Sequence, residues 1–345
     1  MKGRLILRNL KIDLWSSKFS HIYIEEEAYN YDLTKDILKR FRESDVINIK
    51  HYKDVFNRSH QSYSIQKKSP KLILAVKKDK FLYNGSNMCE SFGRKNFYYT
   101  STIMNCIYDC EYCYLQGMYT SSNIVIFVNI EDVFKEITQL LQEKSIYLCI
   151  SYETDLLALD GITGYFKKWM EFAKANSNLE LEVRTKSANI SSIQKVDALS
   201  NVILAWTLSP QSIIESYELR TPSLKTRLKA IDTAIKRGWK VRLCFDPLIY
   251  VKNWDMKYTK MIDEVFSSIN SELVYDIEIG LFRISKEFLK RFRKLKDNSE
   301  IFSYPYDCSK GICTYSPEHT KKLLELVYNN VRIYIDENRV YVKEW

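Results

Sequence analysis

Ile103-Met-Asn-Cys106-Ile-Tyr-Asp-Cys110-Glu-Tyr-Cys113-Tyr-Leu-Gln116 holds three cysteines spaced C-x3-C-x2-C, with Tyr112 just before the last of them. Thiolates are the protein ligands of iron–sulfur clusters, and a [4Fe–4S] cube ordinarily takes four. This loop offers three, so a cube held here keeps one iron open to a small-molecule ligand. A zinc site and a chance run of reduced thiols are the competing readings. Zinc knuckles usually present paired C-x2-C units totalling four ligands, and no second pair in the chain has that spacing. The loop therefore reads as a cluster site with Cys106, Cys110 and Cys113 as metal ligands.

The rest of the chain suits a cofactor enzyme of the cell interior. Its 345 residues are enough for one large barrel domain and a smaller one. Hydrophobic residues make up 46%, and no apolar run approaches the length of a membrane span. The basic stretch 1–11 lacks an uninterrupted apolar segment, so no signal peptide is expected there. Eight cysteines without secretion fit reduced thiols and metal ligation better than disulfides, and a cytoplasmic location is expected. An excess of 52 Lys+Arg over 43 Asp+Glu gives a net charge of +9, compatible with a polyanionic substrate but not diagnostic of one.

The chain divides near residue 97. Before it, strands are predicted over 21–26, 46–49 and 71–78. A helix is predicted over 32–43, where Leu33, Ile37, Leu38 and Phe41 recur at helical spacing. The polar stretch 50–70 reads as loop. After the cysteines, strands over 124–128, 146–151, 179–186, 202–209, 240–247 and 275–282 alternate with helices over 131–144, 164–176, 223–238, 255–269 and 286–296. Repeated βα units imply a parallel sheet with right-handed crossovers. About six of them, too few for a closed eight-stranded barrel, imply an α/β fold built on a partial (β/α)6 barrel, with its site at the C-terminal strand ends. A helix over 317–330 and a hairpin pairing 332–335 with 339–342 complete the reading. The expected organisation is 1–97 as an N-terminal α/β domain, 98–297 as the barrel, and 298–345 as a C-terminal extension with a DNA-contacting loop.

The loop Cys110-Glu-Tyr-Cys-Tyr-Leu-Gln116 resembles that of the spore photoproduct lyase family, within the radical S-adenosylmethionine (SAM) superfamily. Further segments resemble the family in the same order: Phe127-Val-Asn-Ile-Glu-Asp-Val133, Thr154-Asp155 with Asp160, Arg184-Thr-Lys-Ser187, Tyr217-Glu-Leu-Arg-Thr221, and Phe245-Asp-Pro-Leu-Ile249 before Trp254. The resemblance implies a radical-SAM carbon–carbon lyase of DNA repair that reverses 5-thyminyl-5,6-dihydrothymine to two thymines. SAM fills the open iron, and a 5′-deoxyadenosyl radical takes the C6 hydrogen of the lesion. It implies as partners DNA carrying a thymine photolesion and an electron donor such as ferredoxin or flavodoxin. Tyr112 matches an aromatic beside the SAM adenine, Thr154 and Thr207 stand where the family has serines, and Lys186 matches a lysine directed at SAM. Thr154 and Thr207 could instead cap loop or strand, and Lys186 could be a solvated cation.

One position departs from the family. Its hydrogen-donor cysteine lies two residues before the Ser/Thr position, and counting back from Thr154 lands on Tyr152. Cys149 is expected to point away from the barrel interior if Tyr152 points in, because residues three apart on a strand face opposite ways. A phenol can also donate a hydrogen atom, so Tyr152 is expected to be the donor, with Tyr114 passing the radical back toward SAM. Cys308 or Cys313, in a loop over the barrel mouth, is the competing donor; Cys244 reads as core and Cys89 has no role. Arg283 and the run Lys290-Arg-Phe-Arg-Lys-Leu-Lys296 are expected phosphate binders, although such a run is commonly just a solvated face. Tyr304, Tyr306 and Tyr315, with Pro305, are the expected wedge. Two other readings stay open: a radical-SAM enzyme with another nucleic-acid or small-molecule substrate, and an iron–sulfur nucleic-acid-binding protein without turnover.

Overall fold

The computed structural model describes residues 19–296 and 298–343, and the basic stretch 1–11 lies outside them. A five-stranded sheet runs in the order Asp45–Ile49, His21–Glu25, Leu72–Ala75, Ile124–Phe127, Ile103–Met104. Leu72-Ile-Leu-Ala75 and Ile124-Val-Ile-Phe127 are unbroken apolar runs, buried throughout, as central parallel strands require. The helix Asp32–Arg40 packs beside this sheet through Ile37 and the half-buried Leu33 and Leu38. The stretch 50–70, expected as loop, carries short helices Lys53–Phe56 and Tyr63–Lys68. Lys67 on the second is buried and donates its Nζ to the Cys106 carbonyl, so this stretch supports the cysteine loop.

The larger sheet holds the six parallel barrel strands Phe97–Thr100, Ile146–Cys149, Leu179–Thr185, Val202–Thr207, Lys240–Leu248 and Asp276–Leu281. Along these strands the side chains alternate in kind. Leu181, Val183, Val241, Leu243 and Phe245 are buried in the main apolar core, while Glu182, Arg184, Arg242, Asp246 and Glu278 share the opposite, inward faces. The inward charges are paired: Arg184 reaches Glu278 at 2.5 Å and Glu182 at 3.1 Å, and Arg242 reaches Glu182 at 2.6 Å and Asp276 at 2.5 Å. Buried ions tolerate such a place only when paired in this way.

Two expected elements fall elsewhere. The strand at 124–128 does not open the barrel; it pairs with Leu72–Ala75 in the smaller sheet, and Phe97–Thr100 takes the first barrel position beside Ile146–Cys149. The cause is the cysteine loop, whose leading strand Ile103–Met104 pairs antiparallel with Ile124–Phe127 and carries the chain out of the barrel. The C-terminal hairpin does not form either. The helix Pro317–Arg332 runs into its first arm and the chain turns over 333–335, and Val340–Lys343 instead pairs in parallel with Asp276–Leu281, covering the open barrel edge.

Candidate functional site

A cavity of about 350 Å³ opens at the C-terminal ends of the barrel strands, and Cys106, Cys110 and Cys113 form part of its wall. The loop carrying them is tied down on all sides. Asn105, at φ 68°, donates its amide to the carbonyls of Ser121 and Asn123 at 2.8 Å each. Asp109–Cys110 pairs antiparallel with Glu218–Leu219, and Gln116 donates to the Cys110 carbonyl at 2.7 Å. The helix Lys286–Leu295 packs so closely that a Cβ on Gly117 would sit 2.6 Å from Phe288. Burial pushes the Cys106 thiol up to about 12 and raises Cys110 and Cys113, so a metal must displace their protons on binding. Among the described residues, no Cys, His, Asp and Glu side chains are gathered tightly enough to hold an ion between them. Three buried or half-buried thiols spread around one cavity wall suit a multi-iron cube, which meets its ligands at separate corners.

Tyr112, Thr154, Lys186 and Thr207 all line the same cavity. The Tyr112 phenol donates to Glu218, which also accepts the Ser209 hydroxyl at 2.9 Å and the Arg227 guanidinium at 2.5 Å. Burial alone would raise the Glu218 carboxyl, but Arg227 and Lys186 outweigh it and hold it at about 2. Lys186 Nζ lies 5.7 Å from the Tyr112 ring centre. Burial works to discharge this ammonium, yet Glu218 and the Cys110 thiol keep its pKa above the ordinary lysine value. Asp155 accepts from the Lys186 backbone at 2.7 Å, from Thr185 at 2.8 Å and from the Ala158 backbone at 3.0 Å. It therefore locks two strand-end loops together. The Thr154 hydroxyl donates to the Asn105 carbonyl at 2.8 Å, bracing the cysteine loop and leaving its lone pairs to accept.

Across the cavity, the Tyr114 phenol donates to the Tyr152 carbonyl at 2.5 Å, with the two ring centres 5.9 Å apart. Tyr152 stacks on Tyr99 at 4.1 Å. Cys149 also lines the cavity, against expectation. The strand ends at Cys149, so strict alternation does not extend to Tyr152 in the following loop.

The expected nucleic-acid contacts are only partly free for that work. Arg283 pairs with Asp246 at 2.5 Å and donates to the Met88 carbonyl at 2.8 Å, which makes it a clamp across the barrel mouth. In the basic helix, Arg291 donates to the Gly117 carbonyl, Arg293 to the carbonyls of Phe302 and Tyr304, and Lys296 to the Glu111 carbonyl. Lys290 and Lys294 are exposed. Tyr315 is buried and Tyr306 bonds the Ile301 carbonyl, so both serve an aromatic cluster with Tyr304, Tyr250 and His319. Cys308 and Cys313 are bonded to each other across the hairpin Asp307–Ser309/Ile312–Thr314. Neither lines the cavity, which removes them as competing donors, and their bond departs from the reduced thiols expected of the eight cysteines.

Sequence reasoning gave no role to Cys89. It lines the cavity with its Sγ 3.8 Å from the Tyr152 hydroxyl. No local motif marks it; the only signal was the absence of a cysteine where the family has its donor.

The model of the spore photoproduct lyase family matches residues 18–305. Spore photoproduct lyase of Clostridium acetobutylicum is 21% identical over 334 residues, covering 92% of this chain and 97% of that one. A solved spore photoproduct lyase variant with bound AdoMet and dinucleoside spore photoproduct has the same fold at TM-score 0.79 and 19% identity, with 94% and 98% of the two chains covered. Spore photoproduct lyase complexed with the dinucleoside spore photoproduct alone gives the same score and identity over 94% and 99%. With the family model spanning the barrel, the cysteine loop and every cavity strand, the chain belongs to the spore photoproduct lyase family.

Proposed function

We propose that this protein is a cytoplasmic radical-SAM lyase that reverts the spore photoproduct in DNA to two thymines. The single observation that carries the reading is convergence: one cavity is lined by Cys106, Cys110, Cys113, Tyr112, Lys186, Tyr114 and Tyr152. When bound, a [4Fe–4S] cluster and SAM supply a carbon-centred radical able to remove a hydrogen atom from the lesion. The three cysteines hold the cube. Lys186, kept charged by its neighbours, meets the carboxylate of SAM, while the Tyr112 ring, fixed at its hydroxyl by Glu218, offers a flat face to the adenine. Thr154 and Thr207 supply hydroxyls on the same wall. Tyr114 and Tyr152 serve the return of the hydrogen atom once the lesion has fragmented.

The lesion must leave the stack to reach this cavity. The exposed hairpin tip Lys310-Gly311 and the exposed Lys290 and Lys294 supply cationic contacts to the duplex. A low-potential one-electron donor of the ferredoxin or flavodoxin kind completes the system. The test is anaerobic incubation of the reconstituted, reduced protein with SAM and the dinucleotide photoproduct. Thymine should form. Formation of 5′-deoxyadenosine without thymine moves the protein to another substrate, a reading that Tyr152 at the family's cysteine position favours. Neither product leaves an iron–sulfur protein without turnover.

A further inference from the structure

Cys89 lines the same cavity as Tyr152 and Tyr114. It comes from the segment between the edge strand Leu82–Asn84 and the first barrel strand Phe97–Thr100, far in sequence from Tyr152. The segment is held rigidly against the barrel mouth. The Cys89 backbone donates to the Ser86 carbonyl at 2.9 Å, and Glu90 caps the next turn by accepting from the Ser91 and Phe92 backbones at 2.9 Å each. The Met88 carbonyl accepts from Arg283, itself paired with Asp246 of a barrel strand. The result is a Cys89 Sγ at 3.8 Å from the Tyr152 hydroxyl, inside hydrogen-bond reach for sulfur. Within this shared cavity the Tyr114 phenol bonds the Tyr152 carbonyl, the two ring centres lie 5.9 Å apart, and Tyr114 follows Cys113 in sequence.

We infer that Cys89 is the hydrogen-atom donor to the product thymine radical, and that Tyr152 restores its hydrogen from Tyr114. This rests on the proposed repair reaction. In the first step a C–H bond forms on the thymine methylene carbon, the Cys89 S–H bond breaks, and a thiyl radical remains. Tyr152 then gives its phenolic hydrogen to sulfur, and Tyr114 gives its own to Tyr152. Tyr114 regains a hydrogen from the 5′-methyl of the 5′-deoxyadenosine that had taken the lesion's hydrogen. The 5′-radical so left recombines with methionine to SAM, returning one electron to the cluster, so the count closes over the cycle. Each hydrogen transfer moves a proton together with its electron, so it creates no charge in a buried site where an unpaired ion is costly. Thiols pass hydrogen to carbon radicals faster than phenols do, which places Cys89 first and the tyrosines behind it. Cys149 lines the cavity as well, but it is Cys89 whose Sγ reaches the Tyr152 hydroxyl, and Cys308 and Cys313 do not line the cavity.

The experiment compares anaerobic holoenzyme, Cys89→Ala, Cys89→Ser and Tyr152→Phe on the dinucleotide photoproduct. For both Cys89 variants the expected result is lesion consumption at the parent rate with thymine yield reduced at least tenfold, the balance appearing as adducts. Tyr152→Phe should complete one clean turnover and then consume SAM stoichiometrically. A readout independent of turnover is alkylation by N-ethylmaleimide, mapped by peptide mass. Lesion dinucleotide should protect Cys89 at least fivefold. Serine keeps the size of the side chain, so a fold defect confined to Cys89→Ala is recognised by its absence in Cys89→Ser. Normal thymine yield from either folded Cys89 variant, or no protection of Cys89 by the dinucleotide, overturns the inference. So does adduct formation by Tyr152→Phe in its first turnover. No repair by the parent enzyme overturns the proposed function, and this inference with it.

Discussion

Glu218 Oε2 and Arg227 Nη2 stand 2.5 Å apart, and neither side chain reaches solvent. The pair ties the helix Leu224–Lys236 to the strand that pairs with Cys110, and Glu218 carries the Tyr112 phenol on its other oxygen. Removing one partner of a buried pair leaves the other charge uncompensated, at a cost of about 3–5 kcal/mol. Glu218→Gln should therefore lower the unfolding free energy by that order in urea titration, and also broaden cluster assembly.

The same carboxylate sets an acid limit. Its folded pKa of about 2 lies below the ordinary glutamate value near 4.3. A depressed pKa contributes stability that is full above the unfolded value and is lost as pH falls through the folded one. Unfolding free energy should thus decline between about pH 4.5 and pH 2, with a shallower slope in Glu218→Gln. Equal slopes in the two proteins would remove Glu218 from the account.

The cysteine loop makes a spectroscopic prediction. Cys→Ala at any of Cys106, Cys110 or Cys113 should abolish reductive SAM cleavage, whereas Cys89→Ala should leave it intact. Air should bleach a cube held by these three cysteines, because they would leave one iron without a protein ligand. A triple variant that keeps a full cluster absorbance and cleaves SAM would sink the ligand assignment.

The parts of the site that were legible in sequence are those whose geometry is local. Cys106, Cys110 and Cys113 share one loop, and Lys186 follows a strand whose alternation is plain, so spacing alone brings them to one place. The strand Ile124–Phe127 was misplaced because a short apolar run fits either sheet equally well; its partner Leu72–Ala75 is known only from the fold. Arg283 and the arginines of the basic helix looked like free cations. Their carbonyl partners, such as Met88 across 195 residues of sequence, leave no mark on either side. Cys89 was illegible for the same reason: its closeness to Tyr152 depends on a segment held by that arginine. Long-range contacts made by one side chain to a backbone carbonyl carry no periodicity to read.

Lys186 is half-buried at the cavity wall, and its raised pKa keeps it an ammonium throughout the neutral range. Its removal should weaken SAM binding by about 1.5–3 kcal/mol, the range for a charge-assisted hydrogen bond, with the cluster spectrum unchanged. Equilibrium binding of SAM to Lys186→Ala decides this. Unchanged affinity would assign Lys186 to holding Glu218 and the loop instead.

The hairpin offers a test of duplex contact separate from chemistry. Lys310 and Gly311 both have positive φ, 49° and 83°, in a two-residue turn between Ser309 and Ile312. Such a turn favours Asn-Gly, because asparagine tolerates the left-handed region better than other side chains. Lys310→Asn therefore keeps or improves the turn while removing its charge, so stability should stay within about 0.5 kcal/mol. If Lys310 meets a phosphate, binding to lesion-bearing duplex should weaken, and its salt dependence should lose about one counterion, a slope change of roughly 0.9. Repair of the isolated dinucleotide should be unchanged, since it offers little backbone beyond the lesion. An unaltered salt slope for the duplex would move the phosphate contacts to Lys290 and Lys294, and the same measurement on those two variants would then locate them.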